Sequence, residues 1–123
     1  MVAVKTSKLP VLTALAALAL LAGCQSEPTY APKPLNQLTV QERNGYNVFQ
    51  QRCLICHADR NDTKIVGPPL VGLYKNQYLP SGAAATDERV QSTIMHGRGM
   101  MPPQGNVIDA QDLTDLMAYL HTL

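Results

Sequence analysis

The chain has 123 residues and a formal net charge of +1, and only 5% of its residues are aromatic, with no Trp. This length corresponds to a single domain, whose core is thin unless another bulky apolar group fills part of it. The balanced charge provides no basic stripe that could displace counterions from a nucleic acid, which argues against nucleic-acid binding.

The first 23 residues have the pattern of an export signal. Lys5 and Lys8 give a positive start, and residues 10–21 are apolar apart from Thr13. This run is too short to cross a bilayer comfortably, whereas it suits the apolar region of a signal peptide. We therefore expect residues 1–23 to be removed, which leaves eight basic and nine acidic side chains.

The signal ends with Leu21-Ala22-Gly23-Cys24, which resembles the lipobox of bacterial lipoproteins. In such proteins cleavage precedes the cysteine, which then carries lipid, and more than one acyl chain gives stable anchoring. The resemblance implies that Cys24 is lipidated and holds the protein at the periplasmic face of a bacterial membrane, inner or outer. The alternative is an ordinary secretory signal followed by an incidental cysteine.

Residues 24–38 are predicted to form the lipidated cysteine and a linker. They contain Pro28, Pro32 and Pro34 among small and polar residues, a composition that favours an extended chain without a core of its own. At about 3.1 Å per residue, this linker would reach on the order of 40 Å. The folded domain is therefore predicted to span residues 39–123 and to swing above the membrane.

Three helices are predicted in the domain, and no strand pattern competes with them. Each begins at a polar side chain that can accept a hydrogen bond from a free backbone N–H of the first turn. The predicted N-cap residues are Thr39, Thr86 or Asp87, and Asp109. Glu42 would complete a capping box with Thr39, and the second helix would stop at Gly97. Between residues 58 and 81, where Gly, Pro, Asn and Asp are frequent, only short helical pieces are expected.

Gly45 in the first helix indicates a close approach by another helix. A glycine inside a helix costs about 1 kcal/mol, and this position lies four residues before Phe49. The residues predicted to face inward from the other two helices recur at helical spacing: Val90, Ile94, Met95, Leu113, Leu116, Met117, Tyr119 and Leu120. We expect these faces to form one core.

The first helix runs into Cys53-Leu54-Ile55-Cys56-His57. C-x-x-C-H is the attachment sequence of c-type haem: two thiols one helical turn apart bond the two vinyl groups, and the adjacent imidazole reaches the iron. Half of a zinc site would need a second ligand pair, but no second Cys pair exists, and a thiol redox pair would need a βαβ context. The motif predicts one covalently bound haem c, and with Cys24 lipidated no thiol remains for a disulfide.

With these residues, the stretch 39–123 resembles a class I c-type cytochrome, an all-α fold of three main helices with long loops that wrap the haem. The resemblance implies that Gly45 and Phe49 of the first helix meet Leu116 and Tyr119 of the last. It covers the whole predicted domain.

Two loops carry further parts of this resemblance. Gly67-Pro68-Pro69-Leu70 is similar to the family's Gly-Pro-x-Leu segment, in which the carbonyl of the first proline accepts a hydrogen bond from Nδ1 of the iron-bound histidine. The resemblance assigns this role to Pro68 and the proximal ligand to His57, and such a bond fixes the ring and raises its basicity. A simple proline turn is the alternative interpretation.

The second loop, Gly97-Arg98-Gly99-Met100-Met101-Pro102, resembles the segment that supplies the sixth iron ligand. In the family this ligand is the methionine directly before proline, here Met101. A residue before proline is held in an extended conformation, so Met100 would point to the opposite face. The alternatives are Met100, His96 or an open site, and both methionines could instead fill the core.

The resemblance implies a carrier of single electrons and not an enzyme. Two axial ligands leave no position for a small-molecule substrate, and the partners would be periplasmic or membrane redox proteins that dock through a small, transient interface. Two alternatives stay open. One is a haem enzyme or gas sensor with a labile Met ligand, and the other is a fixed electron-wire subunit of a dehydrogenase or oxidase.

Overall fold

Three α-helices separated by long loops form the fold in the computed structural model, which describes residues 30–123. The elements are a 3₁₀ turn at Leu35–Gln37, α1 at Val40–Arg52, α2 at Asp87–His96 and α3 at Ala110–Leu120. No strand occurs in this part of the chain, which holds isolated antiparallel bridges between Tyr78 and Ala84 and between Arg98 and Met101. The predicted all-α architecture with three main helices is confirmed.

Each helix begins at a predicted cap. The Thr39 hydroxyl accepts from the backbone N–H of Glu42, whose carboxylate accepts in return from the N–H of Thr39. Thr86 caps α2, and Asp87 is its first residue. Asp109 caps α3. These contacts lie within three residues in sequence, which is why the sequence pattern alone locates them.

α1 and α3 cross at Gly45. A Cβ atom at this position would overlap the carbonyl oxygen of Asp115 and lie 2.8 Å from Cβ of Tyr119, so only glycine permits this approach. The ring centroids of Phe49 and Tyr119 lie 5.8 Å apart, and Leu116 is buried in the same cluster. The expected close approach of a second helix at Gly45 is confirmed.

The core contains side chains from α1, α2 and α3, together with residues just before α1 and just after α3. Its buried hydrophobic members are Leu38, Phe49, Val90, Ile94, Ile108, Leu116, Met117, Tyr119, Leu120 and Leu123. Leu113 and Met95, which were also expected inside, are only half-buried. Two acidic residues that the sequence pattern did not place inside are buried as well, Asp59 and Asp115.

The loop between α1 and α2 contains no helix, so the expectation of short helical pieces between residues 58 and 81 is wrong. Besides local turn bonds such as Leu73 N–H to Leu70 O, two of its backbone hydrogen bonds run across the loop. The N–H of Gly67 donates to the carbonyl of Cys56 at 2.8 Å, and the N–H of Leu70 donates to Ala58 at 2.7 Å. These bonds hold the proline segment against the chain that leaves α1.

Residues 30–38, which we call the N-terminal arm, pack on the domain. The domain boundary at residue 39 stays a prediction, but the arm makes contacts with the residues that follow it. Leu38 is buried in the core, the N–H of Lys33 donates to the carbonyl of Thr122 at 2.7 Å, and the Tyr30 ring lies against Gly72. The arm has no core of its own, as its composition indicates, but it uses the core of the domain.

The signal peptide at residues 1–23, the lipidation of Cys24 and the linker prediction for residues 25–29 lie outside the described residues. Within residues 30–123, no helix combines the length and apolar character that a membrane crossing requires.

Candidate haem site

The two thiols and the imidazole occupy a single turn at the end of α1. Cys53 is the C-cap of this helix, and its carbonyl accepts hydrogen bonds from the N–H groups of Cys56 at 3.0 Å and His57 at 2.9 Å. This turn holds the three side chains together at one end of the helix. It is the local geometry that two thioether bonds and one iron ligand require.

Burial gives the first cysteine a preference for a neutral sulfur. Loss of solvation, together with the neighbouring Cys56, raises the pKa of the Cys53 thiol to about 11. Zinc binding and disulfide exchange both use the thiolate, which this environment disfavours. A thioether carries no charge, so covalent attachment of a porphyrin suits this half-buried position better than a zinc-bound thiolate does.

The His57 ring is oriented by the proline loop. Its Nδ1 lies 2.8 Å from the carbonyl oxygen of Pro68, which is the contact that the family resemblance implies. A carbonyl oxygen only accepts hydrogen bonds, so Nδ1 must carry the proton. The lone pair of Nε2 is therefore left for a metal, and the carbonyl raises the basicity of the ring.

Gly67 is a functional position for which the sequence predicted a place in the Gly-Pro-x-Leu segment but no role of its own. A Cβ atom at residue 67 would lie 2.7 Å from Nδ1 and 2.8 Å from Nε2 of His57. No side chain can occupy this space while the ring keeps its place. The Gly-Pro pair in the sequence indicates this position, but the reason for a glycine there is the contact between the loop and the His57 ring.

Met100 and Met101 occupy different environments in the second loop. Arg98 and Met101 exchange two backbone hydrogen bonds of 3.0 Å, which close a tight turn with Gly99 at φ 57°. Met100 projects from this turn with 84% of its surface exposed, whereas Met101 is half-buried and packs against the core. Ligation of the iron by Met101 stays a prediction, and its placement is compatible with that role.

The two remaining histidines differ from each other. His96 is exposed at the end of α2, with Nδ1 3.0 Å from the carbonyl of Ser92. His121 caps the C-terminus of α3, where its Nε2 lies 2.8 Å from Asp87 Oδ1 and its ring stacks on Tyr74 at 4.0 Å. His121 therefore links the end of α3 to the start of α2, a role that its position in the sequence did not indicate.

These observations test whether the residues fit a haem, and they do. The attachment turn presents two thiols beside an imidazole whose free nitrogen can bind iron, and the absence of a side chain at Gly67 leaves room for that imidazole. Cys53, Cys56 and His57 would hold the group, Pro68 would orient the proximal ligand, and Met101 would be the second axial ligand.

Comparison with known proteins agrees with this site. Residues 40–120 match the model of the family described as cytochrome c oxidase, cbb3-type, subunit III. The chain belongs to this family of c-type cytochromes. A curated relative, cytochrome c6 from Euglena viridis, is 27% identical over 79 residues, which are 64% of this chain and 88% of the relative. The fold is thus the all-α cytochrome c fold, and the cofactor is covalently bound haem c.

Proposed function

We propose that this c-type cytochrome is a lipid-anchored carrier of single electrons at the periplasmic face of a bacterial membrane. Haem c supplies reversible one-electron exchange, and a thioether ligand from methionine raises the reduction potential relative to other axial ligand sets. The proposal depends mainly on two candidate iron ligands. These are His57, whose ring is oriented by the Pro68 carbonyl, and the half-buried Met101. Two protein ligands leave no position for a substrate on the iron.

Exposed apolar side chains around the attachment turn support docking of redox partners there. The exposed set consists of Leu54, Ile55, Ile65 and Val66. The hydrogen bond between Gly67 N and Cys56 O brings the segment of Ile65 and Val66 beside the turn. Because this patch is apolar and the chain is nearly neutral, we expect electron transfer with a partner to depend only weakly on ionic strength.

The arm shortens the tether on which the domain would sit. Only residues 25–29 separate Cys24 from Tyr30, whose ring lies against Gly72 of the domain, and at about 3.6 Å per residue they span at most roughly 18 Å. A tether of this length supports partners that are themselves embedded in, or bound to, the same membrane. A partner that diffuses far above the membrane is less compatible with it.

The anchor is tested by fractionating cells that express Cys24→Ser. We expect the variant to move from the membrane pellet to the soluble periplasmic fraction with its haem content unchanged. The wild-type chain, expressed in parallel, is the control. If the variant stays in the pellet, a different anchor holds the protein and this part of the proposal is wrong.

The carrier role is tested by adding carbon monoxide to the reduced wild-type protein. We expect slow and incomplete binding because Met101 occupies the sixth position. Met101→Ala is the positive control and should bind carbon monoxide rapidly. Rapid, complete binding by the wild type would instead favour a haem enzyme or a gas sensor.

A second candidate function is that of a fixed subunit of a membrane oxidase. The description of the matched family is the observation that favours it, and a short tether would suit it as well as it suits a carrier. Purification after mild detergent extraction distinguishes the two, since a fixed subunit should co-purify with a stoichiometric partner. A free carrier should elute alone.

A further inference from the structure

A buried polar contact joins the chain behind the proximal ligand to the last helix. The Tyr119 hydroxyl donates to Oδ2 of Asp59 at 2.5 Å, across 60 residues of sequence. Tyr119 is fully buried and Asp59 is 7% exposed. Neither the attachment of haem nor the proposed electron transfer uses this contact directly.

The tyrosine end of the contact is fixed by packing. The Tyr119 ring lies 5.3 Å from the Tyr46 ring and 5.8 Å from the Phe49 ring, at the point where Gly45 lets α1 and α3 touch. Burial and the neighbouring Asp59 together raise the pKa of Tyr119, so the hydroxyl keeps its proton. It is therefore a stationary donor on the α1–α3 pair.

The aspartate end belongs to the segment that carries the ligand. Asp59 follows His57 by two residues, and Ala58 between them is buried, with its carbonyl bonded to Leu70 N. Beyond this point the chain from residue 61 to residue 66 is exposed. The Asp59 side chain thus provides an anchor to α3 at the place where the ligand segment leaves the interior.

This contact is poorly explained as a source of stability. A buried carboxylate costs free energy unless it is well paired, and an apolar pair of similar size is often as stable. The ion pairs within residues 30–123 are Lys33 with Glu42 and His121 with Asp87, so Asp59 forms no direct ion pair there. The cation beside this contact is Arg60, which interacts with Tyr119 and acts against the rise of its pKa. A hydrogen bond is directional, however, so it restrains the position of its two partners more narrowly than apolar packing would.

We propose that Asp59 is a positioning residue for the iron ligand His57, which it holds through its hydrogen bond from Tyr119. The Pro68 carbonyl fixes the rotation of the His57 ring. The Asp59–Tyr119 contact fixes the backbone that follows His57. The inference rests on haem c being bound through His57. It is independent of the lipid anchor and of any partner.

The test measures the electron paramagnetic resonance g-values of the ferric holoprotein, which report the orientation of the axial ligands, together with the midpoint potential. Tyr119→Phe removes the hydroxyl and keeps the ring, Asp59→Ala removes the acceptor, and Asp59→Asn keeps an acceptor without the charge. Asp115→Asn is the matched control because Asp115 is also buried and bonds only Gln111, within α3.

We expect Tyr119→Phe and Asp59→Ala to shift the g-values in the same direction and to change the potential. The double variant should shift them no further than the larger single change, since both remove one contact. Asp59→Asn should restore the wild-type g-values, and Asp115→Asn should leave them unchanged.

Two results would overturn the proposal. If the g-values of Tyr119→Phe and Asp59→Ala match the wild type while their unfolding temperatures fall, the contact is only stabilising. If Asp59→Asn shifts the g-values as far as Asp59→Ala, the charge of Asp59 acts and not its hydrogen bond. If Tyr119→Phe does not fold, the two Asp59 variants still show whether the hydrogen bond positions His57. Absence of bound haem in the wild type would refute the haem assignment, which is a separate result.

Discussion

The two sides of the haem site are built differently. On the proximal side His57 sits in a segment that is bonded to the end of α1, to the proline loop, to α3 through Tyr119 and to the N-terminal arm through Arg60, which donates to the Lys33 carbonyl at 2.8 Å. On the predicted distal side, the loop of residues 97–105 depends mainly on α2. At the end of this loop, the N–H groups of Gln104 and Gly105 donate to the carbonyls of Ile94 and Met95 in that helix.

This difference predicts which side of the haem site should open first. A segment held from several directions opens only when much of the domain opens, whereas a loop that hangs on one helix can open locally at lower free energy. We therefore expect exchange of the axial ligands to begin at Met101 while His57 stays bound. Variants that alter one side at a time break or sharpen this comparison.

The largest effect is expected from Cys53→Ala or Cys56→Ala, which removes one thioether bond on the proximal side. The attachment turn then holds the haem by a single covalent bond and the iron ligands, so covalent haem should be strongly reduced or lost. The pyridine haemochrome assay on the purified protein measures this. A yield equal to that of the wild type would contradict the attachment sites.

Two glycine variants compare the sides directly. Gly67→Ala should destabilise the holoprotein by about 3 kcal/mol or more, because the new Cβ would press on the His57 ring. Gly99→Ala should cost only about 1 kcal/mol, from its positive φ, because a Cβ there meets nothing within 4 Å. Chemical denaturation followed by haem absorbance measures both. Equal losses would show that the two sides are equally constrained.

Met101→Ala should lower the midpoint potential markedly, because the ferrous iron loses its soft thioether ligand, while the fold should persist because the proximal side is intact. Met100→Ala is the matched control and should leave the potential unchanged, since Met100 is 84% exposed. Spectroelectrochemistry gives both values. If Met100→Ala lowers the potential and Met101→Ala does not, the ligand assignment is reversed.

The smallest effect concerns the arm and depends on pH. The hydrogen bond from Lys33 holds the pKa of Glu42 below its ordinary value of 4.5, and Lys33 Nζ lies 2.7 Å from Oε2. A depressed carboxyl pKa contributes stability that is present above pH 4.5 and is lost as the pH falls through the folded-state value. Glu42→Gln should therefore cost up to about 1 kcal/mol at pH 7.

That difference between Glu42→Gln and the wild type should shrink as the pH is lowered below 4.5, in denaturation curves recorded at several pH values. Asp62→Asn, in the exposed loop after α1, serves as the control. A cost that does not change with pH would mean that the ion pair with Lys33 is not its source.

The parts of the fold that follow from local sequence could be predicted. Thr39, Thr86 and Asp109 bond N–H groups only three residues away, so a short pattern contains both partners. The attachment motif is equally local, since Cys53, Cys56 and His57 lie in one turn. Gly45 could be interpreted because a helical glycine itself indicates a close neighbour.

The contacts that could not be predicted join residues far apart in sequence. Asp59 looks like a solvated loop residue until Tyr119 is placed beside it, and its burial depends on the α1–α3 crossing. Leu38 and Lys33 lie in a proline-containing stretch whose composition favours an extended chain. The stretch instead contains a 3₁₀ turn at Leu35–Gln37 and packs on the domain. Composition alone does not predict the surface on which such a segment lies.

Lys33 gives the protein an unusual mechanical property. Its N–H, carbonyl and ammonium groups bond the end of the chain at Thr122, the ligand segment at Arg60 and α1 at Glu42. One of these three bonds ends on Arg60, three residues after His57. A displacement of the arm would therefore strain the ligand segment together with α1 and the end of the chain.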